Sequence, residues 1–251
     1  MTDTPWYRPF FTGLALDFWR GLDDPAATAR EVRFLIDELA PPPGGRLLDL
    51  PCGYGRHAVA LAEAGFHVVG VDLAEPFIRE GKRRGELSKV SGRLHLTVGD
   101  MADLPVEGPF DGAFCMGNSF SYLPPSRQSR FVKGIADLLN PGARLVVETG
   151  MVCESILPLL TERPWMASGD VRLMMTNRYD APQGRLETEW TFVRGREEEV
   201  RHSTHWVVSA AEAIRELAGA GLTVTGVYGG LDRSPYRVAA PYLYLTAVKE
   251  G

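Results

Sequence analysis

No stretch of this chain approaches the ~18–20 consecutive apolar residues that cross a bilayer. Its opening, Met1-Thr2-Asp3-Thr4-Pro5, has neither the basic nor the apolar segment of a secretory signal. Membrane insertion and export are therefore not expected, and the expected location is cytoplasmic. Cysteine is scarce: Cys52, Cys115 and Cys153 lie far apart, with no C-x-x-C or Cys/His pattern. An odd set of isolated thiols excludes a disulfide scaffold, suits a reducing compartment and gives no reason to expect a metal site. Neither sign of charge dominates, with 27 Lys plus Arg against 32 Asp plus Glu and a formal net charge of −5. That weak acidity offers no bulk attraction to a polyphosphate backbone. There is no internal repeat, no low-complexity segment and no linker between independent domains. What remains is an ordinary globular composition, 45% hydrophobic and 24% charged over 251 residues. That is enough chain for one large core carrying an elaborate insertion.

Residues 1–45 read as a helical lead-in, rich in aromatics at Trp6, Tyr7, Phe10, Phe11, Phe18 and Trp19. Asp24-Pro25 reads as an N-cap with proline at the first helical position. Val32, Leu35, Ile36 and Leu39 follow at helical spacing. From residue 46 short apolar runs alternate with amphipathic stretches. Strands are expected at 46–51, 67–72, 93–99, 110–116 and 143–149, with helices at 56–64, 75–87 and 126–139. Parallel neighbours need a crossover helix, so the pattern predicts a doubly wound α/β sheet. The rhythm breaks after Gly150, where 171–180, 185–194 and 199–208 read as three strands of an antiparallel β insert with a solvated tip at Glu197-Glu198-Glu199. Ser209-Ala210-Ala211-Glu212 is a capping box that reopens the helical pattern, and 222–228 and 241–249 close the sheet. The predicted organisation is thus a lead-in or lid (1–45), a core (46–149 with 209–251) and an insert (150–208).

The chemistry concentrates at Leu48-Asp49-Leu50-Pro51-Cys52-Gly53-Tyr54-Gly55-Arg56-His57. A strand ends in glycines and a helix starts at once. Gly53 and Gly55 admit a ligand close to the backbone, where the helix N-terminus offers free N–H groups. Asp72 ends the second strand, placed to accept hydrogen bonds from ribose hydroxyls. The glycines alone also satisfy a loose dinucleotide fingerprint. Three further features discriminate. Asp49, inside the strand, would repel a pyrophosphate and welcome an ammonium. Gly99-Asp100-Met101 closes the third strand with an acceptor for an adenine amino group beside an apolar wall. The runs Phe110–Ser119 and Leu139–Glu148 then supply the next two strands in order.

This set resembles the class I S-adenosylmethionine-dependent methyltransferases, over residues 46–149 most strongly and over 209–249 in the closing elements. Asp-Leu-Pro-Cys-Gly-Tyr-Gly-Arg-His and the later Gly-Asn-Ser-Phe look most like bacterial small-molecule members. Glycine- and amino-sugar N-methylating enzymes share a β insert before the last helix. The resemblance implies a seven-stranded, mostly parallel sheet with a reversed last strand, and S-adenosyl-L-methionine as cofactor. By analogy Asp49, Cys52, Gly53, Tyr54 and Gly55 hold its methionine part, Asp72 and Leu73 the ribose, Asp100 and Met101 the adenine. Met116 follows as a wall beneath the sulfonium.

The acceptor implied is a small molecule, N-methylation being slightly favoured over O-methylation. Its pocket is expected between the Asn118–Leu123 loop, the N-terminal aromatics and the insert, with Asn118, Tyr122 and Trp190 as binding residues. Val200, His202, Thr204, Trp206 and Val208 share one strand face, so His202 is the candidate catalytic polar group. The insert could instead merely pack on the core or form a homodimer face. Cys52 reads as a filler at a tight turn rather than a nucleophile, and Arg56 and His57 as either capping residues or partners of the cofactor carboxylate. Nucleic-acid amino methylation is disfavoured, because Gly117-Asn118-Ser119-Phe120 stands where such enzymes resemble Asp/Asn-Pro-Pro-aromatic. The alternatives are a cofactor-binding module without catalysis and, more weakly, an NAD-dependent oxidoreductase.

Overall fold

The computed structural model describes residues 5–251; the first four residues of the expected lead-in lie outside the described residues. Two short helices, α1 (Tyr7–Phe10) and α2 (Gly13–Gly21), precede α3 (Pro25–Leu39). The Asp24 carboxylate accepts N–H groups of Ala26 and Ala27 at 2.9 and 3.1 Å, satisfying donors that the first turn leaves free. The core then runs β1 (Arg46–Asp49), α4 (Arg56–Glu63), β2 (His67–Asp72), α5 (Glu75–Leu87), β3 (Leu94–Val98), β4 (Phe110–Cys115), α6 (Pro125–Leu138) and β5 (Leu139–Thr149). After the insert it closes with α8 (Ala210–Gly219), β10 (Leu222–Tyr228) and β11 (Leu243–Lys249). Here the insert comprises α7 (Cys153–Leu159), β6 (Trp165–Ser168), β7 (Val171–Asp180), β8 (Arg185–Arg194) and β9 (Glu197–Trp206).

Seven strands form one sheet in the order β10-β11-β5-β4-β1-β2-β3. β5, β4, β1, β2 and β3 pair in parallel, whereas β11 runs antiparallel to both β5 and β10, giving the reversed last strand. Alternate side chains feed two cores. Leu48, Ala113 and Leu145 meet α6 and α8 through Phe131, Ile135 and Leu217. Leu47, Phe114 and Val146 meet α3 and α4 through Val32, Leu35 and Leu61. The inner strands β1, β2 and β4 are therefore buried on both faces, which is why they read as near-continuous apolar runs. The order reverses beside β1, so the loops after β1 and β4 part and leave a crevice at the carboxyl ends of the strands.

The insert differs from its expected form. It is a four-stranded antiparallel sheet, order β6-β7-β8-β9. β6 escaped notice because it is four residues long with Trp165 and Met166 exposed, so no alternation marks it. Leu14 and Phe18 of α2 pack on Val171, Leu173 and Phe192, welding the lead-in to this second sheet. Glu199, expected at a solvated tip, instead accepts the Leu14 N–H at 3.1 Å and pairs with Arg201 at 2.7 Å. Gly13 is required beside it: its φ is +55°, and a Cβ there would lie 2.3 Å from Glu199 Oε1.

Candidate functional site

A cavity of about 360 Å³ opens at the parted strand ends. Its floor is the turn after β1, where Gly53 (φ +54°) and Gly55 (φ +74°) adopt left-handed backbone and Gly55 caps α4. A Cβ at Gly53 would meet no protein atom within 4 Å, so that position faces open space. Close packing is needed instead at Gly70 on β2, where a Cβ would come within 2.8 Å of Cys52 Cβ and 2.6 Å of Leu96. That approach presses the loop onto the sheet.

Carboxylates mark the strand ends. Asp72 accepts the Gly53 N–H and the Ala74 N–H, both at 2.8 Å, tying the glycine turn to the end of β2. Burial nevertheless raises its pKa to about 6. Asp100 accepts Ala102 N–H at 2.9 Å and pairs with Arg8 of α1 at 3.0 Å, so the lead-in reaches over the end of β3. Asp49 is 1% exposed and its Oδ2 has no partner among the described residues. Burial drives its pKa well above the ordinary carboxylate value. An unpartnered buried carboxylate oxygen beside the glycine turn fits the ammonium of a methionine-like ligand.

Cys52, Gly53, Tyr54, Asp72, Leu73, Asp100, Met101, Met116 and Tyr122 all line the cavity. Asp49, the last residue of β1, and Gly55, the cap of α4, are not among the residues that line it. Asn118 turns away, its carbonyl accepting the Gly150 N–H. Trp190 packs behind the lead-in against Phe10 and Trp19, at ring separations of 5.5 and 5.7 Å, with its Nε1 donating to Ser203 Oγ at 2.8 Å. His202 also stands apart from the cavity. It is exposed and pairs across the sheet with exposed Glu189. Val200 to Val208 do share a face, but the lead-in packs on the opposite one, which carries buried Ser203 and His205.

The N-terminal aromatics were expected at the pocket, but Leu22, Glu31 and Phe77 were not singled out. Tyr7, Phe11, Trp19, Leu22 and Glu31 line the cavity, with Phe77 of α5. Glu31 bonds Arg56 Nη1 and lies 2.7 Å from His57 Nε2, gathering the first two residues of α4. Burial alone would raise the Glu31 pKa, but hydrogen bonds from His57 and Arg56 outweigh it and hold it at about 2. Burial lowers the His57 pKa, so near neutrality it donates as the neutral ring and Arg56 supplies the positive charge. The available signal was Glu31's place four residues before Leu35, an acid on the apolar stripe. No cluster of three His, Cys, Asp or Glu that could hold a metal occurs among the described residues, and no described helix is long and apolar enough to cross a membrane.

Residues 47–142 match a family described as a methyltransferase domain. Glycine/sarcosine N-methyltransferase of Halorhodospira halochloris is 33% identical over 157 residues, 58% of this chain and 55% of that protein. Ubiquinone biosynthesis O-methyltransferase of Xylella fastidiosa is 33% identical over 144 residues, 55% of this chain and 56% of that protein. The matched part of the chain thus spans about half the length of these curated relatives. Among solved structures, the CcbJ methyltransferase of Streptomyces caelestis superposes with a TM-score of 0.81 at 18% identity, covering 94% of this chain and 96% of that one. At that identity the likeness shows the fold, and it embraces the lead-in and insert as well as the core. Residues 47–142 thus match a methyltransferase-domain family, and the chain as a whole shares the fold of the solved methyltransferases it superposes on.

Proposed function

We propose that this chain transfers the methyl group of S-adenosyl-L-methionine to a small-molecule acceptor, an amine ahead of a hydroxyl. The observation that carries this reading is the placement of Asp72, Asp100 and the Gly53 turn around one cavity. Bound there, the cofactor supplies an electrophilic methyl on a sulfonium. Asp72 is positioned for two ribose hydroxyls, Asp100 for an adenine amino group, and the free oxygen of Asp49 for the methionine ammonium. Asp24, Glu31, Asp72 and Asp100 against Arg56 leave the lining acidic. That balance suits a cationic cofactor better than its neutral thioether product.

Catalysis then rests on positioning and exclusion of water. Tyr7, Phe11, Trp19, Leu22, Met101 and Met116 give the cavity apolar walls. The preference for an amine follows from the bases present. Glu31 is held at a pKa of about 2, His57 is bonded to it, and both Asp72 oxygens already accept backbone N–H groups. None of these three stands free to take a proton from a hydroxyl, whereas an amine can enter neutral and release its proton to solvent after attack. We place the protein in the cytoplasm, where free thiols such as Cys52, Cys115 and Cys153 persist.

Calorimetry with S-adenosylmethionine, S-adenosylhomocysteine and NAD tests the cofactor. Binding of NAD alone would replace this reading with a dehydrogenase. Single-turnover transfer of a labelled methyl to a panel of amine and hydroxyl metabolites, read by mass spectrometry, tests the reaction. Tight cofactor binding with no transfer to any acceptor would leave a binding module.

A further inference from the structure

One ring cluster beside the cavity stands outside the cofactor residues. Trp6 of the lead-in, Tyr122 after β4 and His205 on the inner face of β9 touch one another. Their ring separations are 4.7 Å (Trp6–Tyr122), 5.2 Å (Trp6–His205) and 5.3 Å (Tyr122–His205). Tyr122 lines the cavity, so the other two rings stand directly behind its wall. His205 is 6% exposed, yet its Nδ1 has no partner, and neither has the buried Nε1 of Trp6 among the described residues. Buried polar atoms without partners are rare, and a donor and an imidazole nitrogen orphaned in adjoining rings point to a missing ligand.

Charge separates this cluster from the rest of the cavity. The cofactor end carries Asp72 and Asp100, whereas no ring here bears a charge, since burial lowers the His205 pKa to about 4. Flat apolar faces edged by one N–H donor and one nitrogen acceptor match an uncharged ring bearing hydroxyl or amino groups. Trp6 is the wall able to yield. It is only part-buried and precedes a helix of four residues, too short to be stable by itself.

Resting on the methyltransferase reading above, we propose that Trp6, Tyr122 and His205 form the subsite for the non-reacting body of the methyl acceptor. That body is a hydroxyl- or amine-bearing ring of monosaccharide size, donating a hydrogen bond to His205 Nδ1. The lead-in and the β4 loop line the cavity, and the insert reaches it through His205 behind Tyr122, which gives the insert its part in acceptor choice.

The test uses the full chain saturated with S-adenosylhomocysteine and labelled with nitrogen-15 at the histidine rings. The probes are 2-amino-2-deoxyglucose, 3-amino-3-deoxyglucose and, as a ringless comparator, glycine. The amino sugars are expected to move the His205 Nδ1 resonance and glycine to leave it unmoved. With the amino sugar that turns over, His205→Phe keeps the ring packing but removes the acceptor, and should raise acceptor KM about 3- to 10-fold, the worth of one neutral hydrogen bond. His205→Asn, which restores a polar atom near Nδ1, should recover most of that loss. KM for S-adenosylmethionine should stay within twofold in both.

An Nδ1 resonance already hydrogen-bonded in the free protein and unmoved by every probe would assign the site to a structural water and overturn the proposal. So would His205→Phe with unchanged acceptor KM, or with equal losses for acceptor and cofactor. Absence of S-adenosylhomocysteine binding in the unaltered chain would instead remove the methyltransferase reading, and this inference with it.

Discussion

Replacing Asp72 by alanine removes one carboxylate that the structure uses twice. Toward the protein, it accepts the N–H groups of Gly53 and Ala74, both at 2.8 Å. Toward the cofactor, on the function proposed above, its remaining lone pairs would accept hydrogen bonds from two ribose hydroxyls. Hydrogen bonds to a charged group are worth about 1.5–3 kcal/mol each, so the cofactor loses about 3–6 kcal/mol. That is a rise in Kd of roughly 10²–10⁴-fold. The fold should survive, because water entering the open cavity can satisfy both backbone donors. A stability loss near ~1 kcal/mol corresponds to a fall of about 2–4 °C in Tm for a chain of this size.

The same carboxylate sets a pH dependence. Burial raises its pKa from 3.8 to about 6. Between those values the ligand-free folded chain keeps a proton that the unfolded chain has shed. This group therefore lowers stability as pH rises from about 4 to 6, the reverse of an ion-paired carboxylate. Ribose hydroxyls require the ionised form, so affinity should fall as pH drops below about 6. Titration calorimetry with S-adenosylhomocysteine at pH 5 and pH 7.5, on the native chain and Asp72→Ala, reads both effects. A Kd for the variant within threefold of native at pH 7.5 would refute the assignment of Asp72 to the ribose.

Asp100→Ala should cost one charge-assisted bond, about 1.5–3 kcal/mol. S-Adenosylhomocysteine should feel it more than S-inosylhomocysteine, and equal losses in a chain that otherwise discriminates between them would move the adenine elsewhere. Glu31→Gln should remove up to ~3 kcal/mol of stability at neutral pH, because a carboxylate lowered from 4.5 to about 2 contributes above pH 4.5 and loses that contribution as pH falls toward 2. Urea melts at pH 6 and pH 3 should show a smaller acid loss in the variant than in the native chain. Gly70→Ala should weaken cofactor binding and lower Tm together, since the new Cβ, 2.8 Å from Cys52 Cβ, must push the glycine turn outward. An unchanged Kd would show that the turn is not held by that contact. His202→Ala should leave methyl transfer within twofold of native, as its side chain is exposed; a loss of tenfold or more would return it to the site.

Much of the site was legible because the residues that build it are local. Asp49, the glycines, Asp72, Asp100 and Met101 sit at strand ends, and strand ends are set by short apolar runs whose period survives in the sequence. Helix starts at Asp24 and Ser209 were equally plain, since a cap is a contact between residues two or three apart. The reversed last strand was not read from periodicity. It came with the family resemblance, because direction within a sheet depends on which strand lies alongside.

Tertiary structure decided the rest. Alternation along β9 puts His202 and His205 on opposite faces, and no local signal tells which face the lead-in will cover. The packing of Leu14 and Phe18 on Val171, Leu173 and Phe192 settles it, burying His205 and leaving His202 outside. Leu22, Glu31 and Phe77 likewise come from separate segments, and only the closed fold brings them round one cavity. Local sequence fixes which way side chains alternate and where elements begin. What each face meets depends on contacts between residues far apart in the chain, as when Leu14 bonds Glu199 across 185 positions.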